Sequence, residues 1–318
     1  MSAIAHPALR RAAGGATLDA SHEPTGERTM STADTVFACL DGLDTTDAIV
    51  DGALWAARRL QAPLTLLHTL ARPEPLPPVG DYSGVIGMGA QDILMQRLNT
   101  LDEERVKLAQ EAAERMLDSA SARIADEPLP APVQTLLRQG ELTEVLLENE
   151  AAARLFVLGS NRRPGKARKL RLDHNVESVV RNVRQPVMVV TEPGFIAPGH
   201  FVIAYDASAT AQRAVEVLAR SPLLRGMPGM LVMVGEATPE MLQRLEDAQA
   251  HLKAAGFEVG TRILPGLPEE VIPALLQDMG DALLVLGAYG HSRIRHLIVG
   301  STTTALLRLS SAPVLVLR

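Results

Sequence analysis

The chain has 318 residues, which at roughly 100–200 residues per domain favours two domains. Hydrophobic residues make up 47% of it, so a sizeable core can be buried and wholesale disorder is excluded. A formal charge of -6 argues against gripping nucleic acid through broad positive potential, and apolar runs such as Ala282 to Leu286 fall far short of the ~20 residues of a membrane-spanning helix.

Residues 1–30 carry Arg10, Arg11, Gly14 and Gly15 in a polar stretch that lacks the apolar segment of a secretory signal. They are expected to form a disordered extension, with Met30 as an alternative initiator. Thr35 to Asp41 is a short β-rich run that ends on an acidic residue. Its Cys39 is the only cysteine, which excludes internal disulfides and thiolate zinc clusters and makes a reducing, cytoplasmic setting the default, while the short apolar runs predict a soluble protein. A helix follows with Ile49, Ala53 and Leu60 inward and Trp55 in the core. The next strand, Leu64 to Leu70, places His68 as a core or sheet-end histidine with a hydrogen-bond partner. Ala71 to Ala90 is rich in Pro and Gly. An amphipathic helix over Asp92 to Asp118 then repeats apolar residues at Leu94, Leu98, Leu101, Leu108, Ala112 and Met116.

Leu155 to Ser160 is a further strand, Arg162 to Arg171 reads as a basic solvated loop, and Arg184 to Val190 closes the first half. Thr191 to His200, with two prolines and two glycines, is the joint. In the second half Phe201 to Ala207 is a strand that carries Asp206 at its end, and the helix after it turns Val215 and Leu218 inward. Met230 to Gly235 is again apolar nearly throughout. Thr238 caps a helix with Pro239 at its first position, Met241, Leu245, Ala248 and Leu252 inward, and Gly256 as its stop. Leu283 to Ala288 and Ser311 to Leu317 are the last strands.

The two halves are copies of one unit. TVFACLD matches FVIAYDA, LFVLGS matches LLVLGA, and RQPVMVV matches SAPVLVL. The copies are offset by 165 at Asp41 and Asp206, 128 at Gly159 and Gly287, and 127 at Pro186 and Pro313. The first copy therefore holds about forty surplus residues before its fourth strand. Each reads β-α-β-α-β-α-β-α-β, and strands that are apolar throughout require cover on both faces. The expected fold is α/β, Rossmann-like, with two tandem, open, mostly parallel five-stranded sheets flanked by helices.

Ligands of such sheets lie outside the carboxyl ends of the strands. There the second copy has Gly287-Ala288-Tyr289-Gly290, nine residues from His291 to Val299, and Gly300-Ser301-Thr302-Thr303-Thr304 opening the last helix. A missing Cβ at Gly287 would let an anionic group approach, and the helix start offers free N–H groups with hydroxyls beside them. Either feature alone is ordinary turn and cap chemistry; together, with Asp206 nearby, they point to a phosphate site. His291 is a candidate to reach phosphate, and His296 is as readily a plain surface residue. Neither has a carboxylate at metal-ligand spacing. Asp206 has no assignable nucleophile or histidine partner, so it is expected to bind ribose or cap the following helix. The lysine-bearing phosphate loop of common NTPases is absent.

Gly287-x2-Gly290-x9-Gly300-Ser301 resembles the ATP-binding signature of the universal stress protein family in its tandem two-domain form, over about residues 34–318. The resemblance implies that Asp206 contacts the nucleoside, that the backbone of Val234 bonds adenine, and that Ser301, Thr302 and Thr303 contact the phosphates of ATP, with Mg or Mn. It further implies an adenine nucleotide alpha hydrolase-like sheet order of 3-2-1-4-5 and pairing of the domains through Val187 to Val190 and Val314 to Leu317. Residues 31–193 and 199–318 are then the two domains. The first departs from the pattern: Arg162 or Arg163 stands at the second glycine, and Asp173 and His174 replace Gly300 and Ser301. An aspartate there caps its own helix and repels a polyphosphate, so no ATP is expected in this copy.

The expected function is a cytoplasmic stress-response protein, a possible homodimer, whose second domain binds ATP and whose nucleotide state alters contacts with other proteins. It is at most a weak ATPase. The alternative is a slow nucleotide hydrolase or phosphotransferase that uses Asp206 and His291 around a metal. A third reading makes the first domain a binding module for a different ligand, with the Pro/Gly segment as its lid.

Overall fold

Strand β1 (Thr35–Leu40) alternates its side chains between two faces, and both are buried. Val36, Ala38 and Leu40 enter one apolar layer, whereas Phe37 and Cys39 enter the other. A computed structural model of the chain describes residues 35–71, 88–160, 172–288 and 301–318, with the backbone alone for 88–95. The expected extension over 1–30, Met30, most of the Pro/Gly stretch and the basic loop lie outside the described residues.

The first half continues through α1 (Thr46–Leu60), β2 (Leu64–Leu70), α2 (Met88–Arg123), β3 (Gln134–Gln139), α3 (Leu142–Glu148), β4 (Ala153–Gly159), α4 (His174–Asn182) and β5 (Val187–Val190). The second repeats it as β6 (His200–Ala204), α5 (Ala209–Arg220), β7 (Gly229–Val234), α6 (Pro239–Ala254), β8 (Val259–Leu264), α7 (Pro268–Met279), β9 (Ala282–Gly287), α8 (Ser301–Leu309) and β10 (Val314–Leu317). The strands form one ten-stranded sheet in the order β3-β2-β1-β4-β5-β10-β9-β6-β7-β8. Each half has the expected 3-2-1-4-5 order, the second mirrored. All neighbours are parallel except β5 and β10, which pair antiparallel with Met188 opposite Leu315.

Helices α1, α2, α5 and α6 cover one face of the sheet, and α3, α4, α7 and α8 cover the other. Central strands are buried on both sides, whereas the edge strands β3 and β8 expose residues such as Arg138 and Arg262, which discourages further strand pairing. Among the described residues no helix is long and apolar enough to cross a membrane.

The join between halves is more than one strand pair. Thr191 donates its hydroxyl to the Ser311 carbonyl at 2.7 Å, and the Arg59 guanidinium on α1 donates to the Leu223 and Arg225 carbonyls of the second half. Trp55, half-buried rather than central to the core, packs its ring 6.0 Å from that of Phe195 in the connector, with Arg59 5.8 Å from the indole centroid. It anchors the joint.

One expected stripe is displaced. Of that stripe along α2, Met116 packs against the core whereas Leu101 is 54% exposed and Leu108 62% exposed; Ala113, Leu117 and Ala120, with Ile124 just past the helix, are buried. The buried set follows helical spacing at the carboxyl end only. With 36 residues against 16 for α6, α2 carries several turns more than its counterpart, and none of its described side chains before Ala113 is fully buried. The equivalent stripe of α6 lies as expected: Leu245, Ala248 and Leu252 are buried, and Gly256 takes a positive φ of 87°.

Burial pushes the Cys39 thiol far above its ordinary range, leaving almost no thiolate at neutral pH. A thiol-specific reagent is therefore expected to label Cys39 only after denaturation. Rapid stoichiometric labelling of the native protein would contradict this burial.

Candidate functional site

In the second half β6 ends at Ala204, and Tyr205, Asp206 and Ala207 carry the chain over the edge of the sheet. Ser208 caps α5, its hydroxyl accepting from Ala211 N–H at 3.2 Å. Asp206 is therefore not the helix cap; its Oδ1 accepts from Ser208 N–H at 3.0 Å and shapes the turn. The last β6–β7 hydrogen bond found runs from Tyr205 N–H to the Val232 carbonyl at 2.9 Å, so Val234 projects past the end of β6. Gly287 ends β9 next door, one residue beyond the Ala204–Leu286 pair.

These termini enclose one cavity. Asp206, Val234, Gly287, Thr302 and Thr303 all line it. Its apolar walls include Val232, Ile272 and Leu286, and Thr210 of α5 closes one side. The arrangement offers a carboxylate, a strand-end backbone, an apolar slot and hydroxyls from the first turn of α8, where the leading N–H groups of a helix and the positive end of its dipole favour anions. Ser301 begins that helix and is exposed. Gly290, His291, His296 and Gly300 lie outside the described residues. Pro268 and Ile272 of α7 also line the cavity and were not foreseen, because nothing in their residue types marks a site; only the sheet order brings α7 over β6 and β9.

Gly287 also has a packing role that the sequence does not show. A Cβ there would stand 2.4 Å from the Thr210 carbonyl oxygen and 2.9 Å from Ala211 nitrogen. The glycine is required first for the close approach of α5 to β9, and only through that packing for the shape of the cavity.

The first half uses equivalent residues differently. Asp41 accepts from Leu43 N–H at 2.9 Å, from the Thr46 hydroxyl at 2.8 Å, and from the Thr45 hydroxyl. Both carboxylate oxygens are engaged internally. Asp173 caps α4 as expected, accepting from Asn175 and Val176 N–H at 2.9 and 3.2 Å, so the donors that would meet a phosphate are already satisfied. His68 has the expected sheet-end partner, its Nδ1 lying 2.7 Å from the Leu40 carbonyl. Beside it, between the α1 entrance and α2, lies a separate cleft of about 590 Å³ bordered by Asp41, Gly42, Asp44 and Met116. Among the described residues no cluster of three or more His, Cys, Asp or Glu could hold a metal ion.

Two stretches of the chain, residues 32–191 and 225–318, match the family model described as Universal stress protein family. The chain belongs to the universal stress protein family. As a tandem universal stress protein it is similar along nearly its whole length to Universal stress protein Slr1230 of Synechocystis, with 32% identity over 286 residues covering 89% of this chain and 99% of that one. It is 27% identical over 304 residues to Universal stress protein Rv2005c of Mycobacterium tuberculosis, covering 89% and 96%. Its fold is that of a solved universal stress protein from Archaeoglobus fulgidus, with a TM-score of 0.59 at 18% identity, over 90% of this chain and 96% of the other. Asp206 falls between the two stretches matched by the family model, so its place at the cavity rests on the structure.

Proposed function

We propose that the second repeat of this universal stress protein binds an adenine nucleotide, ATP with Mg or Mn, and that nucleotide occupancy alters its contacts with other proteins in a cytoplasmic stress response. The observation that carries this is the contrast between repeats: the second gathers Asp206, Val234, Gly287, Thr302 and Thr303 around one cavity, whereas the first engages Asp41 and Asp173 within its own turns. The apolar slot suits a base, the carboxylate suits ribose hydroxyls as an acceptor, and the start of α8 suits phosphates. A divalent cation bound with the nucleotide would take most of its ligands from phosphate oxygens and water and need one or two carboxylates at most; Asp206 is the carboxylate that lines the cavity.

Native mass spectrometry of the freshly purified chain is expected to find one adenine nucleotide per chain. Asp206→Ala should weaken binding roughly ten- to a hundredfold, the worth of a hydrogen bond to a charged group. Two nucleotides per chain would refute the assignment of binding to the second repeat alone, and full occupancy in Asp206→Ala would refute the assigned contact.

A further inference from the structure

The two repeats hold their first-strand aspartates by opposite means. In the first, Gly42 follows Asp41 with φ of 71°, and a Cβ at Gly42 would lie 3.6 Å from the Met116 sulfur of α2. In the second, Ala207 follows Asp206 and takes the same left-handed conformation, φ of 59°, which is unfavourable for any residue with a Cβ. The residue of α6 at the place of Met116 is Arg244, one position before the buried Leu245 as Met116 is before the buried Leu117. Arg244 Nη1 donates to the Ala207 carbonyl at 3.1 Å, and the Arg244 carbonyl accepts from the hydroxyl of buried Tyr205 at 3.1 Å. Glu240, one turn earlier, accepts from Arg244 Nη2 at 2.8 Å and aims the guanidinium.

We infer that Arg244 is a positioning residue for the nucleotide cavity: by holding Tyr205 and Ala207, the neighbours of Asp206 on both sides, it supports a turn that engages only one oxygen of the Asp206 carboxylate, the Oδ1 that accepts from Ser208. Strained backbone persists only where its surroundings over-determine it. In the first repeat the glycine needs no such hold, and the aspartate instead engages its carboxylate with Thr45 and Thr46. At the matching position in the second, the Thr210 hydroxyl pairs with Ser208 at 2.8 Å, and Asp206 keeps an oxygen that the turn does not require. The Arg244 clamp thus leaves the second Asp206 oxygen for a ligand.

The inference rests on the nucleotide reading above, and the experiment separates the two. Titration calorimetry with Mg-ATP on the full chain is expected to show Arg244→Met binding roughly three- to tenfold more weakly, the loss of one hydrogen bond to a charged donor and the order it imposed. The double variant Arg244→Met with Ala207→Gly, which restores the first repeat's pair, should return to within about twofold of the parent, because glycine holds the turn without help. Hydrogen exchange without nucleotide should follow the same order, the Ser208 amide exchanging faster in Arg244→Met and recovering in the double variant. Unchanged affinity and exchange in Arg244→Met would overturn the clamp, and so would a loss that glycine does not repair. Should the parent bind no Mg-ATP, the nucleotide reading fails while exchange at Ser208 still decides the clamp.

Discussion

Gly287→Ala is expected to lower stability by roughly 1–3 kcal/mol and to strip the chain of copurified nucleotide. The added Cβ would meet the Thr210 carbonyl oxygen at 2.4 Å, its carbon at 2.7 Å and Ala211 nitrogen at 2.9 Å. All three are backbone atoms, so no rotamer change relieves the clash; the first turn of α5 must withdraw from β9. That turn begins at Ser208, whose amide is tied to Asp206, and the displacement therefore reaches the carboxylate. Urea denaturation measures the first effect and native mass spectrometry the second. Gly260→Ala is the control, since a Cβ there meets nothing within 4 Å, and its midpoint should move by no more than the equivalent of about 0.5 kcal/mol. If Gly287→Ala kept both the parental midpoint and its nucleotide, the close packing of α5 on β9 would not be what shapes the cavity.

Leu315→Asp is expected to prevent the chain from folding. Leu315 is 1% exposed and Met188 opposite it 0% exposed, so the carboxylate would enter the apolar layer beneath α1 and α5 with no partner, at a cost of several kcal/mol that a marginally stable chain cannot absorb. Both apolar layers contain residues of both halves; damage at the seam is shared, and the parent chain should melt in a single calorimetric transition. Soluble yield and near-ultraviolet dichroism measure the outcome. Leu315→Met, which nearly conserves volume, should cost less than about 1.5 kcal/mol. A folded Leu315→Asp protein with the parental midpoint would show that the halves do not depend on their join.

Much of this molecule is legible in its residue order because its signals are local or repeated. The duplicated motifs ending in Asp41 and Asp206 predict two copies of one α/β unit, and the continuous apolar runs predict a sheet covered on both faces. Thr238, Pro239 and Gly256 mark the ends of α6 through cap and turn chemistry that needs no tertiary context. Asp173 caps α4 for the same reason. Along α2, periodicity states which residues could share a face, while burial depends on what packs against them: Met116 meets the core and Leu101 and Leu108 do not. At Gly287 the need for a missing Cβ is visible in the sequence, but the group that presses on it, the Thr210 carbonyl, comes from another element.

The order of residues by itself determined the two repeats, their parallel strands, and the placement of Asp206, Gly287, Thr302 and Thr303 at strand and helix ends, with Val234 added by the family resemblance. Only the tertiary structure decided how those ends are used: that Asp41 is consumed by Thr45 and Thr46 while Asp206 is not, that Ser208 rather than Asp206 caps α5, and that Arg244 reaches back across the sheet edge to Ala207. Each of these depends on hydrogen bonds whose partners compete within a few ångströms, and which competitor wins is set by where packing places the neighbouring helix, not by the identity of the residue alone.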